Sequence, residues 1–67
     1  MLIIYTTVNC PNCHKQMAEW QKANILFTER PIEDLLNDGK LLTDYILDHN
    51  GQKPMQAPVI RDGEVWL

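Results

Sequence analysis

The sequence lacks the features that assign many short chains to a function. Six Lys and Arg stand against nine Asp and Glu, for a net charge of −3, so no excess of positive charge indicates binding to nucleic acid or to an anionic membrane. The first apolar run, Leu2-Ile3-Ile4-Tyr5, is too short for a signal peptide or a membrane span and has no basic lead-in. We therefore expect a cytoplasmic protein with no nucleic-acid partner and no membrane partner.

Cysteine is also scarce, and its distribution argues against a fold stapled by disulfides. A chain of 67 residues forms one domain, residues 1–67, of low stability, and such domains often need a staple. The two cysteines, Cys10 and Cys13, are three positions apart, and a disulfide between them closes a loop too small to restrict the unfolded chain. In a cytosolic protein, where thiols stay reduced, such a pair is typical of a catalytic or metal-binding role.

The first half of the chain predicts a strand, a helix and a second strand. A short apolar run that ends in a loop rich in Thr and Asn is typical of a buried strand. Cys10 then stands at the cap of a helix that begins at Pro11, where the missing N–H costs nothing. Two strands joined by a helix are expected to be parallel, with a right-handed crossover. The expected bounds are residues 2–6 for the first strand, Pro11–Ala23 for the helix with Asn24 as its stop, and Ile25–Thr28 for the second strand.

The second half predicts further helix and a hairpin. Pro31 closes the second strand, Asn50-Gly51 ends a run of apolar residues at helical spacing, and Asp62-Gly63 is a strong hairpin signal. The expected elements are a helical turn at Ile32–Leu36, a helix around Leu41–Ile46, and strands at Val59–Ile60 and Val65–Leu67. The helical residues expected in the core are Met17, Trp20, Leu41, Leu42, Tyr45 and Ile46. The order β-α-β-α-β-β predicts an α/β fold with a mixed four-stranded sheet.

The segment Cys10-Pro11-Asn12-Cys13 at a helix start favours dithiol–disulfide exchange. The attacking species is a thiolate, and a helix N-terminus supplies free N–H groups and the positive end of the helix dipole, which both favour it. Cys10 occupies that place and is the expected nucleophile, while Cys13, one turn into the helix, can resolve a mixed disulfide. His14 and Lys15 add positive charge nearby or simply face solvent.

Three other interpretations of the cysteines stay open. They can be structural or incidental residues. They can bind zinc or copper, although a closed zinc site wants four ligands and the chain offers only His14 and the distant His49 besides the pair. The pattern Cys-x-x-Cys-His is also the attachment motif of c-type haem, which needs export and a core built around haem.

Pro58 is the second candidate residue. It follows Ala57 and opens a predicted strand, a place where proline is often only an edge marker. Met55 and Gln56 precede it and either line a substrate groove or form plain loop.

Together these residues resemble the glutaredoxins and their relatives of the thioredoxin fold. The matching segments are Tyr5-Thr6, Cys10–Lys15, Ala57–Ile60 and Asp62-Gly63, and with the order of elements they cover nearly the whole chain. The resemblance implies that Pro58 is a cis proline facing Cys10, that the backbone of Ala57 pairs with an extended substrate, and that Tyr5 flanks the site. The expected substrate-binding residues are Tyr5, Pro11, Asn12, Gln56, Ala57 and Pro58.

The chain also departs from that family. Thr7 stands where glutaredoxins commonly have a Lys that helps hold a carboxylate of glutathione, and the family's Gly-Gly turn and final helix do not follow Leu67. We therefore expect one sheet face to lack its usual cover and copies of the chain to self-associate weakly. The glutaredoxin-like electron donors of ribonucleotide reductase, which are reduced by thioredoxin reductase, are a close alternative and carry a Trp near the position of Trp66.

The expected function is reduction of protein or mixed disulfides, with ribonucleotide reductase as one candidate client. No bound cofactor or metal is expected, and the external reductant is glutathione or thioredoxin reductase. The alternative is a non-enzymatic, shortened redoxin module that docks on a partner, with the cysteine pair as a metal ligand or a redox latch.

Overall fold

Strands and helices alternate along most of the chain. The computed structural model describes residues 1–67 and contains four strands and three helices. The elements are β1 (Leu2–Thr6), α1 (Pro11–Lys22), β2 (Phe27–Pro31), α2 (Ile32–Leu36), α3 (Gly39–Asp48), β3 (Val59–Asp62) and β4 (Val65–Trp66). The predicted α/β class is confirmed, and the predicted helical turn is the separate short helix α2. None of the helices has the length and the apolar composition needed to cross a membrane.

Strand β1 lies inside a mixed four-stranded sheet of order β2-β1-β3-β4. It pairs in parallel with β2 and antiparallel with β3, while β3 and β4 form the predicted hairpin around Gly63. Thr6 is opposite Pro31 of β2, and Tyr5 is opposite Val59 of β3. The end of β1, the end of β2 and the start of β3 therefore lie together at one end of the sheet, called here the Thr6 end.

The second strand is displaced from its predicted position. It spans Phe27–Pro31 and not Ile25–Thr28. Asn24 adopts a left-handed φ of 57°, and the N–H of Ile25 donates to a carbonyl of α1 at 2.8 Å, so these residues belong to the end of the helix. Leu26 is 90% exposed. The predicted start at Ile25 is wrong, because Ile25 is hydrogen-bonded to the end of α1 and the strand begins only at Phe27.

The apolar core is small and lies mainly on one face of the sheet. Only 8 of the 67 residues are buried, so a few side chains carry most of the stability. The main cluster consists of Tyr5, Ile32, Leu35 and Val59, with Ile3, Leu41, Tyr45 and Trp66 packed partly against it. The six helical residues expected in the core are all half-buried, because so small a sheet covers little of each helix.

Helix α3 is held over this cluster by one carboxylate. Oδ2 of Asp44 accepts a hydrogen bond from the indole Nε1 of Trp66 at 3.0 Å and another from Nη2 of Arg61 at 3.3 Å. The ring of Trp66 also meets Tyr45 edge-on, with 5.0 Å between the ring centroids. These contacts fix α3 against the β3–β4 hairpin.

Replacing Leu35 with Ala is expected to destabilise the protein by roughly 2–5 kcal/mol, because it leaves a cavity in the main cluster. Leu35 has no exposed surface, whereas Leu47 is 76% exposed on α3 and makes the matched control. Leu47→Ala is expected to change the free energy of unfolding by less than about 0.5 kcal/mol. Urea unfolding of both variants measures the difference, and equal shifts in the two midpoints would contradict the assigned core.

Candidate redox site

The loop after β1 directs the chain into α1. This segment, Thr7-Val8-Asn9, is exposed, and Asn9 adopts a left-handed φ of 59°. Asparagine is one of the few residues that take this conformation at low cost. Cys10 then has extended backbone and caps the helix, which begins at Pro11 as the sequence predicts. The cap expected at Cys10 is confirmed.

The two cysteines are joined by a disulfide within the first turn of α1. Their Cα atoms are 5.2 Å apart. Sγ of Cys10 accepts a hydrogen bond from the backbone N–H of Cys13 at 3.1 Å. Cys10 is 7% exposed and Cys13 is 1% exposed, so both cysteines are buried and Cys10 is the more accessible residue.

The charges within the first turns of α1 favour a negative group at its start. The first turn contains no acidic residue, so the helix itself places no carboxylate beside its free N–H groups. His14 and Lys15 follow on the first two turns and are both exposed. This arrangement can stabilise a thiolate at Cys10 once the disulfide is reduced.

Pro58 lies beside the first turns of α1. The Ala57–Pro58 peptide bond is cis, which confirms the isomer expected. Because Val59 is paired with Tyr5, the preceding proline lies at the Thr6 end of the sheet. Pro58 lines a shallow cleft of about 310 Å³, called here the proline cleft. Its other lining residues are Asn12, Lys15, Gln16 and Glu19 of α1.

The remaining residues expected at the substrate surface differ in exposure. Pro11 and Asn12 are exposed on the first turn of α1. Gln56 is exposed in the segment before Pro58, and Ala57 is half-buried. Their contact with substrate stays a prediction.

A second cleft is lined by Cys13 and includes residues that the sequence pattern did not single out. It is called here the loop cleft and has a volume of about 530 Å³. Cys13, Val8 and His14 line it, as do two carboxylates, Glu29 of β2 and Glu33 of α2. Glu29 accepts a hydrogen bond from the hydroxyl of Thr6 at 3.1 Å. The parallel pairing of β1 and β2 was the available signal, because it brings the end of β2 next to the end of β1.

Tyr5 lies in the core and lines neither of these clefts. Its ring is 3% exposed and packs with Leu35 and Val59 on the face of the sheet covered by α2 and α3. Burial raises the pKa of Tyr5, and the nearby charges of Arg61 and Arg30 act in the opposite direction. A substrate contact by Tyr5 stays a prediction, and its role in this structure is packing.

The histidines do not join the cysteines in a metal-binding group. No three or more side chains of His, Cys, Asp or Glu come together in the arrangement of a metal site. His14 lines the loop cleft, whereas His49 lies at the end of α3, where it stacks on Tyr45.

Comparisons of the chain with protein-family models, with curated proteins and with solved structures found no match.

Replacing Tyr5 with Phe is expected to reduce the loss of stability at alkaline pH. Since burial raises the pKa of Tyr5, the unfolded chain releases this proton above about pH 10 while the folded chain keeps it. Stability that is fully present at lower pH is then lost as the pH rises. Urea midpoints between about pH 8 and about pH 11 should fall less steeply for Tyr5→Phe than for the unmodified protein.

Tyr45→Phe is the control for this measurement, because Tyr45 is only half-buried on α3. The urea midpoint of this variant should fall with rising pH as steeply as that of the unmodified protein. A decline of the same slope in all three proteins would show that the ionisation of Tyr5 is not linked to folding.

Proposed function

We propose that this protein is a dithiol oxidoreductase of the glutaredoxin type, with a thioredoxin-like fold, that reduces disulfides through Cys10 and Cys13. The observation that carries the proposal is the capping position of Cys10, whose Sγ accepts the N–H of Cys13. In the reduced protein the same N–H can donate to a Cys10 thiolate, and hydrogen bonds to a charged acceptor are stronger than neutral ones. The strand order and the place of Pro58 beside α1 support the glutaredoxin type.

The reaction proceeds in two exchange steps. The Cys10 thiolate attacks one sulfur of the substrate disulfide, forms a mixed disulfide, and releases the other substrate sulfur as a thiolate that takes up a proton. Cys13 then loses its proton and attacks Sγ of Cys10, which forms the Cys10–Cys13 disulfide and releases the second substrate thiol. Two electrons pass from the cysteine pair to the substrate.

An external reductant returns the pair to the dithiol state. Glutathione and thioredoxin reductase are the two that the resemblance suggests, and ribonucleotide reductase is one protein disulfide that it suggests as a client. Attack on the substrate and re-reduction of the pair are both expected at the sulfur of Cys10, because Cys10 is the more exposed cysteine. We propose no bound cofactor.

The second candidate is a binding module in which the cysteine pair acts as a redox latch. The observation that favours it is the exposure of Val65 and Leu67 on and next to β4, since exposed apolar side chains are common at contact surfaces. The weak self-association expected from the sequence, at a sheet face that includes Trp66 or Leu67, stays a prediction.

Cys10→Ser is expected to abolish disulfide reduction, because serine cannot supply the attacking thiolate. Cys13→Ser is expected to accumulate a mixed disulfide on Cys10, because the resolving thiol is missing. The assay follows turnover of a small mixed disulfide with glutathione and its reductase, and in parallel with thioredoxin reductase. Mass spectrometry of the quenched reactions detects the trapped adduct.

Each result bears on one part of the proposal. Turnover with glutathione supports a glutathione-coupled enzyme, and turnover only with thioredoxin reductase supports an electron donor of the reductase-linked kind. Folded protein with two titratable thiols that is inactive with both reductants would contradict the proposal and favour the binding module. An adduct on Cys13 in the Cys10→Ser variant would reverse the assigned roles.

A further inference from the structure

The proline cleft and the loop cleft differ in charge, and of the two only the loop cleft is lined by a cysteine, Cys13. The proline cleft contains one cation and one anion, Lys15 and Glu19. The loop cleft contains two carboxylates, Glu29 and Glu33, one permanent cation, Arg30, and the imidazole of His14. Carboxylates therefore outnumber permanent cations in the loop cleft, whereas the two signs balance in the proline cleft.

The cation of the loop cleft is already engaged. Nη1 of Arg30 lies 3.8 Å from Oδ2 of Asp34, four residues along the chain. Neither Glu29 nor Glu33 forms an ion pair with a cation. The hydroxyl of Thr6, which donates to Glu29, is neutral, so it positions that carboxylate without cancelling its charge.

The loop cleft is also part of the reacting site, because Cys13 is one of its lining residues. Cys10 lines neither cleft, but it is bonded to Cys13, which lines the loop cleft. Side chains next to a substrate cysteine attached to Cys10 are therefore within reach of the loop cleft. The carboxylates of the loop cleft therefore attract or repel those flanking residues according to their charge, both when Cys10 attacks and when Cys13 resolves the mixed disulfide.

We infer that the loop cleft, through Glu29 and Glu33, selects polypeptide disulfides that carry Lys or Arg beside the reacting cysteine and disfavours acidic thiols such as glutathione. This inference rests on the proposed function. The exchange steps themselves are unchanged, since the carboxylates act on the encounter and on the mixed disulfide by Coulomb attraction or repulsion. Such an effect is screened by salt.

The test uses the whole protein, fully reduced and freed of reductant, so that it does not depend on which external reductant is used. Two peptides of the same sequence carry either Lys or Glu on both sides of one cysteine, which is disulfide-bonded to the neutral thiol 2-mercaptoethanol. Acid quenching and alkylation measure the rate constant for oxidation of the Cys10–Cys13 pair by each peptide. At low ionic strength the Lys peptide should react roughly tenfold faster, and the ratio should shrink at high salt.

The double variant Glu29→Gln and Glu33→Gln should lower this ratio to about twofold, because glutamine keeps the shape and the hydrogen bond to Thr6 but removes the charge. Glu64→Gln is the control: it makes the same chemical change in the exposed turn between β3 and β4, at the end of the sheet away from the cysteines. It should leave the ratio unchanged.

Equal rates for the two peptides would overturn the inference while leaving the proposed function intact. A preference that survives in the double variant, or that Glu64→Gln removes to the same extent, would overturn it as well, because the charge of the whole molecule would then be the cause. If the reduced protein oxidises with neither peptide, the proposed function itself fails, and the inference fails with it.

Discussion

Strand β1 and its two hydrogen-bonded neighbours are the constraint on which the rest of the structure depends. The strand pairs in parallel with β2 and antiparallel with β3, so the ends of three strands meet at Thr6. The loop from this end leads to Cys10, α2 follows β2 there, and Pro58 precedes β3 there. Residues that are far apart in the sequence become neighbours because of the register of one strand.

The same strand joins the site to the core. Ile4 is fully buried on one face of β1, and Tyr5 is buried on the other face within the main cluster. A disulfide that closes so short a loop adds little to the stability of the fold, because it hardly restricts the unfolded chain. The position of the cysteines is therefore maintained by non-covalent packing around β1, and by few side chains.

The sequence predicts the parts of this structure that local chemistry determines. A proline after a possible cap located the start of α1, and Asp62-Gly63 located the hairpin. The start of β2 was missed because the apolar run does not show that Asn24 ends the helix in a left-handed conformation. The core position of Tyr5 and the carboxylates near Cys13 depend on strand pairing and on which face each residue takes, and a single sequence gives no direct measure of either.

The backbone conformation of Asn9 limits which residues can occupy this position of the site. It carries no reactive group, yet its left-handed backbone, just before the cap, sets the direction in which α1 leaves the sheet. Glycine and asparagine are the residues that tolerate this conformation best, and β-branched residues tolerate it least. Thr7 and Val8 are exposed and free of this restriction. Few substitutions should therefore be tolerated at Asn9, because the backbone conformation of this residue leads the chain into the cap at Cys10.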